Sequence, residues 1–172
     1  NRGWLDSLNS LGGLDNYPQV AKDAWSTDDG SDLFCVPMAS VSHGFMYNKE
    51  IFAELGLSIP KTESEFFATL DKIKDDGNYT PLAIGTADTW ATAIMGWQNV
   101  GPNYWAGEKG RKAIITGEEK FTDQHYVDLL TSLQRWSNYM ADGYQTQTYP
   151  DSQNLFTLGM AAIYPTGSWE IF

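Results

Sequence analysis

The sequence predicts an α/β fold, with helices packed on a sheet. Three observations predict it. Short apolar runs rich in strand formers recur, as in "HGFMY", "TPLAI" and "MAAIY". Between them lie segments with helical apolar spacing and recognisable start and stop residues. No internal repeat or low-complexity linker interrupts the alternation.

Taken in order, "DNYPQVAKDAW" gives a short helix from Pro18. "TDDGSDLFCVP" gives a turn at Asp29 and Gly30 that enters a strand over residues 33–36. "HGFMYNKEIFAELGL" gives a strand over 44–47, then a helix from Lys49 to Leu55 that Gly56 stops. "PKTESEFFATLDKIKDDG" is the clearest helix. Thr62 caps it, Glu65 completes a capping box, and Gly77 ends it. Phe66, Phe67, Leu70 and either Ile73 or Lys74 form its apolar face. A strand follows over 82–84. "ADTWATAIMGWQNVG" is a helix with Asp88 in its first turn, favourable at the positive end of the dipole. "TDQHYVDLLTSLQRWSNYMADG" is a long helix running to Gly143, with Tyr126, Leu129, Leu130, Leu133 and Trp136 as its buried stripe. "PDSQNLFTLG" is a short helix and 160–164 a strand, so the sheet includes 44–47, 82–84 and 160–164.

Composition narrows the function. The 172 residues suffice to bury a core. They carry a net charge of -11, with the acid scattered rather than blocked. Nucleic acid and anionic membrane surfaces need clustered Lys and Arg, so neither is an expected partner. Cys35 is the one cysteine, too few for an internal disulfide; within "LFCVP" it is expected to be a small buried hydrophobe. No apolar run reaches the roughly 18 to 20 residues of a membrane span. The chain opens on "NRGWLDSL" without Met and reads as an internal piece of a longer protein, so a missing targeting segment carries no information.

Catalytic signatures are missing as well. His43 and His125 are the only histidines, and no GxSxG, HExxH, Walker or GxGxxG pattern occurs. His125, in the first turn of a helix, reads as a surface or packing residue. The two "DDG" stretches read as turn chemistry rather than calcium loops. No catalytic residue, metal or cofactor is assigned. A carboxylate pair of a glycosidase is defined in space, so spacing among 22 acids leaves that alternative open. Seven Trp are present, several in polar or glycine-rich settings such as "TADTWAT", "GPNYWAGEKG" and "TGSWEIF". Rings in such settings sit near a surface or cleft more often than in a core.

Three stretches together resemble the extracytoplasmic solute-binding proteins of ABC sugar importers, the family that includes maltose-binding protein. They are "VPMASVSHGFMYNKEIFAELGLSIPKTESEFFATLDKIK", "TPLAIGTADTWAT" and "NLFTLGMAAIYPTGSWEI". Each motif is loose; their order and spacing over about 135 residues are specific. The resemblance implies a periplasmic-binding-protein-like lobe, a mixed sheet flanked by helices, as one lobe of a two-lobe fold. Residues 1–37 would be the tail of the first lobe and the lead-in to a crossing strand. Residues 38–172 would be the second, cleft-bearing lobe, truncated at its C-terminus. The implied function is non-catalytic binding of a mono- or oligosaccharide, with a membrane permease as partner. A monomer is expected, in the periplasm or as a cell-surface lipoprotein of a Gram-positive bacterium.

The resemblance also implies a site. Sugars present apolar C–H faces edged with hydroxyls, which a flat ring and nearby polar groups can cover. Trp169 would be such a platform on its Gly167 and Ser168 turn, with Gly167 allowing close approach and Ser168 offering a hydroxyl or a helix cap. Trp90 and Asp88 fall where the second-lobe turn reaches the cleft. Ser42 and His43 fall on the crossing strand at its floor. For Trp169 the alternative is a core plug, for Asp88 a plain N-cap, and for His43 ordinary strand burial. The competing functions are a carbohydrate-active enzyme with an acidic pair, a receptor for another polar solute such as a polyamine, and a bare interaction domain.

Overall fold

The computed structural model describes residues 3–171, so the reading of the chain's two ends falls outside it. The chain divides into two compact units between Val41 and Ser42.

The first unit is loop-rich. It holds a 3-10 turn at Leu14–Asn16 and helix α1 (Gln19–Asp23), with Pro18 as N-cap. The expected strand over 33–36 does not form. Leu33 alone makes a bridge, antiparallel to Ser26. The neighbouring backbone is taken up by single bonds, Phe34 N–H to the Trp25 carbonyl at 3.1 Å and Leu8 N–H to the Leu33 carbonyl at 2.7 Å, so no ladder extends. The Asn9 side chain accepts from Leu33 N–H and donates to the Ser31 carbonyl, replacing what a paired strand would supply. Cys35 is half-buried rather than buried.

The second unit is a three-stranded mixed sheet in the order β1–β3–β2, with helices around it. The strands are β1 (His43–Tyr47), β2 (Thr80–Leu82) and β3 (Ala161–Gly167). All seven residues of the central β3 are buried, which suits a strand covered on both faces. β1 runs antiparallel to it, with His43 opposite Gly167 and Tyr47 opposite Ile163. β2 runs parallel, with Leu82 opposite Ile163. β3 thus continues three residues past the expected end, through Pro165. The Asn48 N–H bonds to the Ala162 carbonyl, so even-numbered residues of β3 bond toward β1 and odd-numbered ones toward β2. Pro165 would have donated to the β2 side. Its missing N–H costs nothing against β1, and the β2 ladder ends at the Ala83 bond to Ile163.

Helix α2 (Lys49–Glu54) is capped by the Asn48 carboxamide oxygen, which accepts from the N–H groups of Glu50 and Ile51. Helix α3 (Glu63–Asp76) has the expected Thr62 cap and ends at Gly77. Its capping box is only half formed, because the Glu65 carboxylate takes the Lys61 N–H instead of that of Thr62. Phe67, Leu70 and Ile73 are buried, with Phe66 packed at the margin, while Lys74 donates to the Asn138 carbonyl. The next helical segment is α4 (Thr89–Thr92), a π-helical stretch (Ala93–Gln98) and α5 (Asn99–Tyr104). Helix α6 (Glu108–Thr116) follows. Here Trp97 and Trp105 pack on each other at 4.9 Å and against Tyr126, so the polar setting of "GPNYWAGEKG" frames a packing cluster.

Helix α7 (Gln124–Trp136) tightens into a 3-10 turn over Ser137–Tyr139 rather than running to Gly143. Tyr126, Leu129 and Trp136 are buried as expected, but Leu130 is 50% exposed. A buried stripe drifts around a helix, and Leu130 falls one step off the line that Leu129 and Trp136 define. Helix α8 (Tyr149–Thr157) begins after Thr148, whose N–H donates to the Asp151 carboxylate at 2.8 Å. That bond, first, and the Thr148 hydroxyl hold the Asp151 carboxyl below its ordinary value. No helix among the described residues is long and apolar enough to cross a membrane.

Candidate functional site

β3 delivers the chain to Gly167, and a 3-10 turn follows over Ser168–Glu170. The pairing of β1 with β3 continues one step beyond His43 and Gly167. Ser168 N–H donates to the Ser42 carbonyl at 2.8 Å, and Ser42 N–H donates to Ser168 Oγ at 3.1 Å. The Ser168 hydroxyl therefore ties two chain segments together and does not cap a helix. Gly167 has an extended backbone, yet a Cβ there would lie 1.9 Å from the ring of Trp169. The missing side chain lets the indole fold back over its own strand. His43 meets that ring edge-on, with centroids 5.4 Å apart at 86°.

Trp169 is fixed from its polar edge as well. Its Nε1–H donates to the Tyr149 hydroxyl at 2.6 Å. Tyr149 in turn donates to the Glu170 carboxylate. Gln153 Nε2 donates to both Glu170 oxygens, at 2.9 and 3.0 Å. Tyr149 and Gln153 are four residues apart on α8, hence on one helix face.

Trp90 joins the group from the other direction. It lies against the Tyr149 ring at 4.9 Å, tilted by 48°, and is 48% exposed. Asp88 is the N-cap of α4 by position, but its Oδ2 accepts the N–H of Tyr149 at 2.8 Å. The loop from β2 is held there by Thr86 N–H bonding to the Tyr144 carbonyl and Ala87 N–H to the Gln147 carbonyl. Gly85 permits this approach, since a Cβ would lie 2.2 Å from the Gln147 oxygen.

The seven residues singled out in the sequence thus fall in two adjoining sets. Ser42, His43, Gly167, Ser168 and Trp169 gather at the β1–β3 end. Asp88 and Trp90 gather on the turn after β2. Tyr149 joins the sets, by its hydroxyl to Trp169 and by its ring and amide to Trp90 and Asp88. Sequence reasoning missed Tyr149, Gln153 and Glu170. The available signal was the Tyr149–Gln153 spacing on a short helix, which alone does not point to a site.

A hollow of about 670 Å³ opens elsewhere in the second unit, beside β1, α3, α5 and α7. Phe45, Ile59, Phe66, Tyr104 and Trp136 line it, with Glu63 at its rim, and none of the seven residues takes part. Glu63 accepts from the hydroxyls of Tyr104 and Ser132. Burial first, and Glu63 next, push the Tyr104 phenol up. Trp136 is only 2% exposed, so the hollow's largest ring is a core side chain rather than a presented surface.

Comparison with known proteins places this geometry in context. A multiple sugar-binding protein of Streptococcus mutans serotype c is 26% identical over 154 residues, covering 81% of this chain and 34% of the relative. A solved chitin oligosaccharide binding protein aligns with a TM-score of 0.80 and 26% identity, over 96% of this chain and 42% of that one. RafE, solved in complex with raffinose, shares the fold with a TM-score of 0.75 and 23% identity, over 97% of this chain and 44% of that one. The chain therefore spans about a third of the curated relative and about two fifths of the solved structures. The mixed α/β architecture is that of one lobe of these proteins. A family model described as bacterial extracellular solute-binding protein matches residues 1–172, and the chain belongs to that family.

Proposed function

We propose that the chain supplies the ligand-cleft half of a carbohydrate receptor that serves an ABC importer outside the cytoplasm. The observation that carries this reading is the pair of indoles, Trp90 and Trp169, both braced by Tyr149 within a member of this family. Such rings can cover the C–H faces of a sugar while polar side chains take its hydroxyls. The similarity to a multiple sugar-binding protein and a chitin oligosaccharide binding protein supports a sugar over another polar solute. Trp90 and Trp169 are assigned to the ligand's faces. Ser42, His43, Asp88, Gly167 and Ser168 are assigned to the surrounding rim. Residues 1–37 would belong to the end of a first lobe and 38–172 to the second. The partner would be a membrane permease, the working state a monomer, and the location the periplasm or a lipid-anchored cell surface. The receptor binds and releases sugar without changing it.

Heteronuclear NMR of the chain, titrated with a panel of oligosaccharides, tests the reading. One lobe offers part of a ligand's contacts, and each ~1.4 kcal/mol lost weakens binding tenfold, so weak, saturable shifts are expected. They should centre on the indole N–H signals of Trp90 and Trp169. Shifts centred on Phe45 and Tyr104 instead would move the site to the hollow. Release of reducing sugar, abolished by one Asp or Glu substitution, would make the protein an enzyme.

A further inference from the structure

We propose that Glu170 is a positioning residue that acts through Tyr149 to fix the orientation of Trp169. The inference rests on the proposed site, because the ring whose orientation it sets is the one assigned to the ligand. Trp169 stands on a three-residue turn, which gives a large side chain little support of its own. An indole N–H can only donate, and this one donates to the Tyr149 hydroxyl at 2.6 Å. Tyr149 can accept there because its own proton goes to the Glu170 carboxylate, which only accepts when ionised. The two Gln153 bonds hold both carboxylate oxygens in place. The relay therefore runs in one direction, indole to phenol to carboxylate, and a charged acceptor at its end strengthens the bond it terminates.

Two consequences follow. The indole edge is committed within the protein, so Trp169 meets a ligand by its face and supplies no hydrogen bond. The Tyr149 ring also lies against Trp90, so the residue at the centre of the relay touches both indoles.

Tyr149→Phe and Glu170→Gln in the 172-residue chain test this, read by the indole resonance of Trp169 and its exchange rate with water. Tyr149→Phe removes one oxygen and should speed exchange at least tenfold with an upfield shift. Glu170→Gln keeps the shape and should give a smaller change in the same direction. The indole of Trp97, packed in another cluster, should not move. An unchanged Trp169 resonance in both variants overturns the proposal. If Tyr149→Phe does not fold, the wild-type chain still decides. A nuclear Overhauser contact between the Trp169 indole proton and the Tyr149 ring supports the relay, and its absence overturns it. The resonance assay needs no ligand, so it stands apart from the sugar reading. For any oligosaccharide that binds the wild type, both variants should weaken binding severalfold without loss of fold. Unchanged affinity in a variant whose indole has moved overturns the positioning role.

Discussion

Two regions of the second unit place aromatic rings beside a tyrosine that donates to a glutamate, and they differ in what the rings rest on. At the hollow, Phe45, Phe66 and Trp136 pack on one another with centroids 5.1 to 5.9 Å apart, and the Tyr104–Glu63 bond sits at the rim. At the candidate site, the Trp169 N–H donates to Tyr149, which donates to Glu170, while the ring itself lies over Gly167 and meets His43 edge-on. Of the hollow's rings only Trp136 is buried, Phe66 is half-buried and Phe45 is 39% exposed, and apolar contact and volume set their positions. Rings held by directional bonds can stay partly open to solvent without losing their orientation.

Trp136→Ala should lower stability by ~3 to 5 kcal/mol, the range for deleting a buried large ring, measured by urea unfolding. A loss as small as that of an exposed residue would mean that Trp136 is not core. Gly167→Ala comes next. The new Cβ would force the Trp169 ring off its strand, so ~1 to 3 kcal/mol is expected, the usual cost of overpacking, with a red shift in tryptophan emission. An unshifted emission would place the indole elsewhere. Trp90→Ala should cost no more than about 0.5 kcal/mol, as for other exposed positions, while abolishing sugar-induced shifts. Thermal melts with and without an oligosaccharide separate the two effects.

A third tyrosine has its effect only at high pH. Tyr126 is buried, and its hydroxyl donates to Glu119 Oε2 at 2.9 Å. Burial, then that bond, push its phenol up to about 12 from the ordinary 10.0. A raised value means the folded state favours the protonated phenol, so this contribution is intact below pH 10. It is lost as pH rises through about 12. Phenolate absorbance against pH should show a late-titrating tyrosine, and Glu119→Gln should bring its midpoint down. Among the described residues Tyr79, Tyr104, Tyr126, Tyr139 and Tyr149 all donate to carboxylates. In a chain with 22 acids and 11 Lys and Arg, phenols take up acceptors that cations leave over.

Helix α3 was legible almost to the residue because its signals are local: a Thr cap, an apolar stripe and a terminal Gly within one segment. The segment 33–36 misled for the complementary reason. An apolar run states a tendency to pair, but whether a partner strand lies beside it depends on distant backbone. Pro165 argues against a central strand until the pairing parity shows which neighbour loses the bond.

From sequence alone came the α/β class, the three strands of the sheet and, through three motifs in order, the family, whereas helix α6 carried no signal strong enough to be read. The resemblance pointed to Trp90 and Trp169; a polar setting alone did not set a ring apart, since Trp105 in "GPNYWAGEKG" packs against Trp97. What holds those rings depends on contacts between distant segments. Tyr149 is joined to Asp88 across 61 positions, to Glu170 across 21 and to Trp169 across 20. Helix and strand periodicities act over a few residues. A hydrogen bond between side chains on different elements depends on where the sheet and α8 bring them, and no local pattern encodes that.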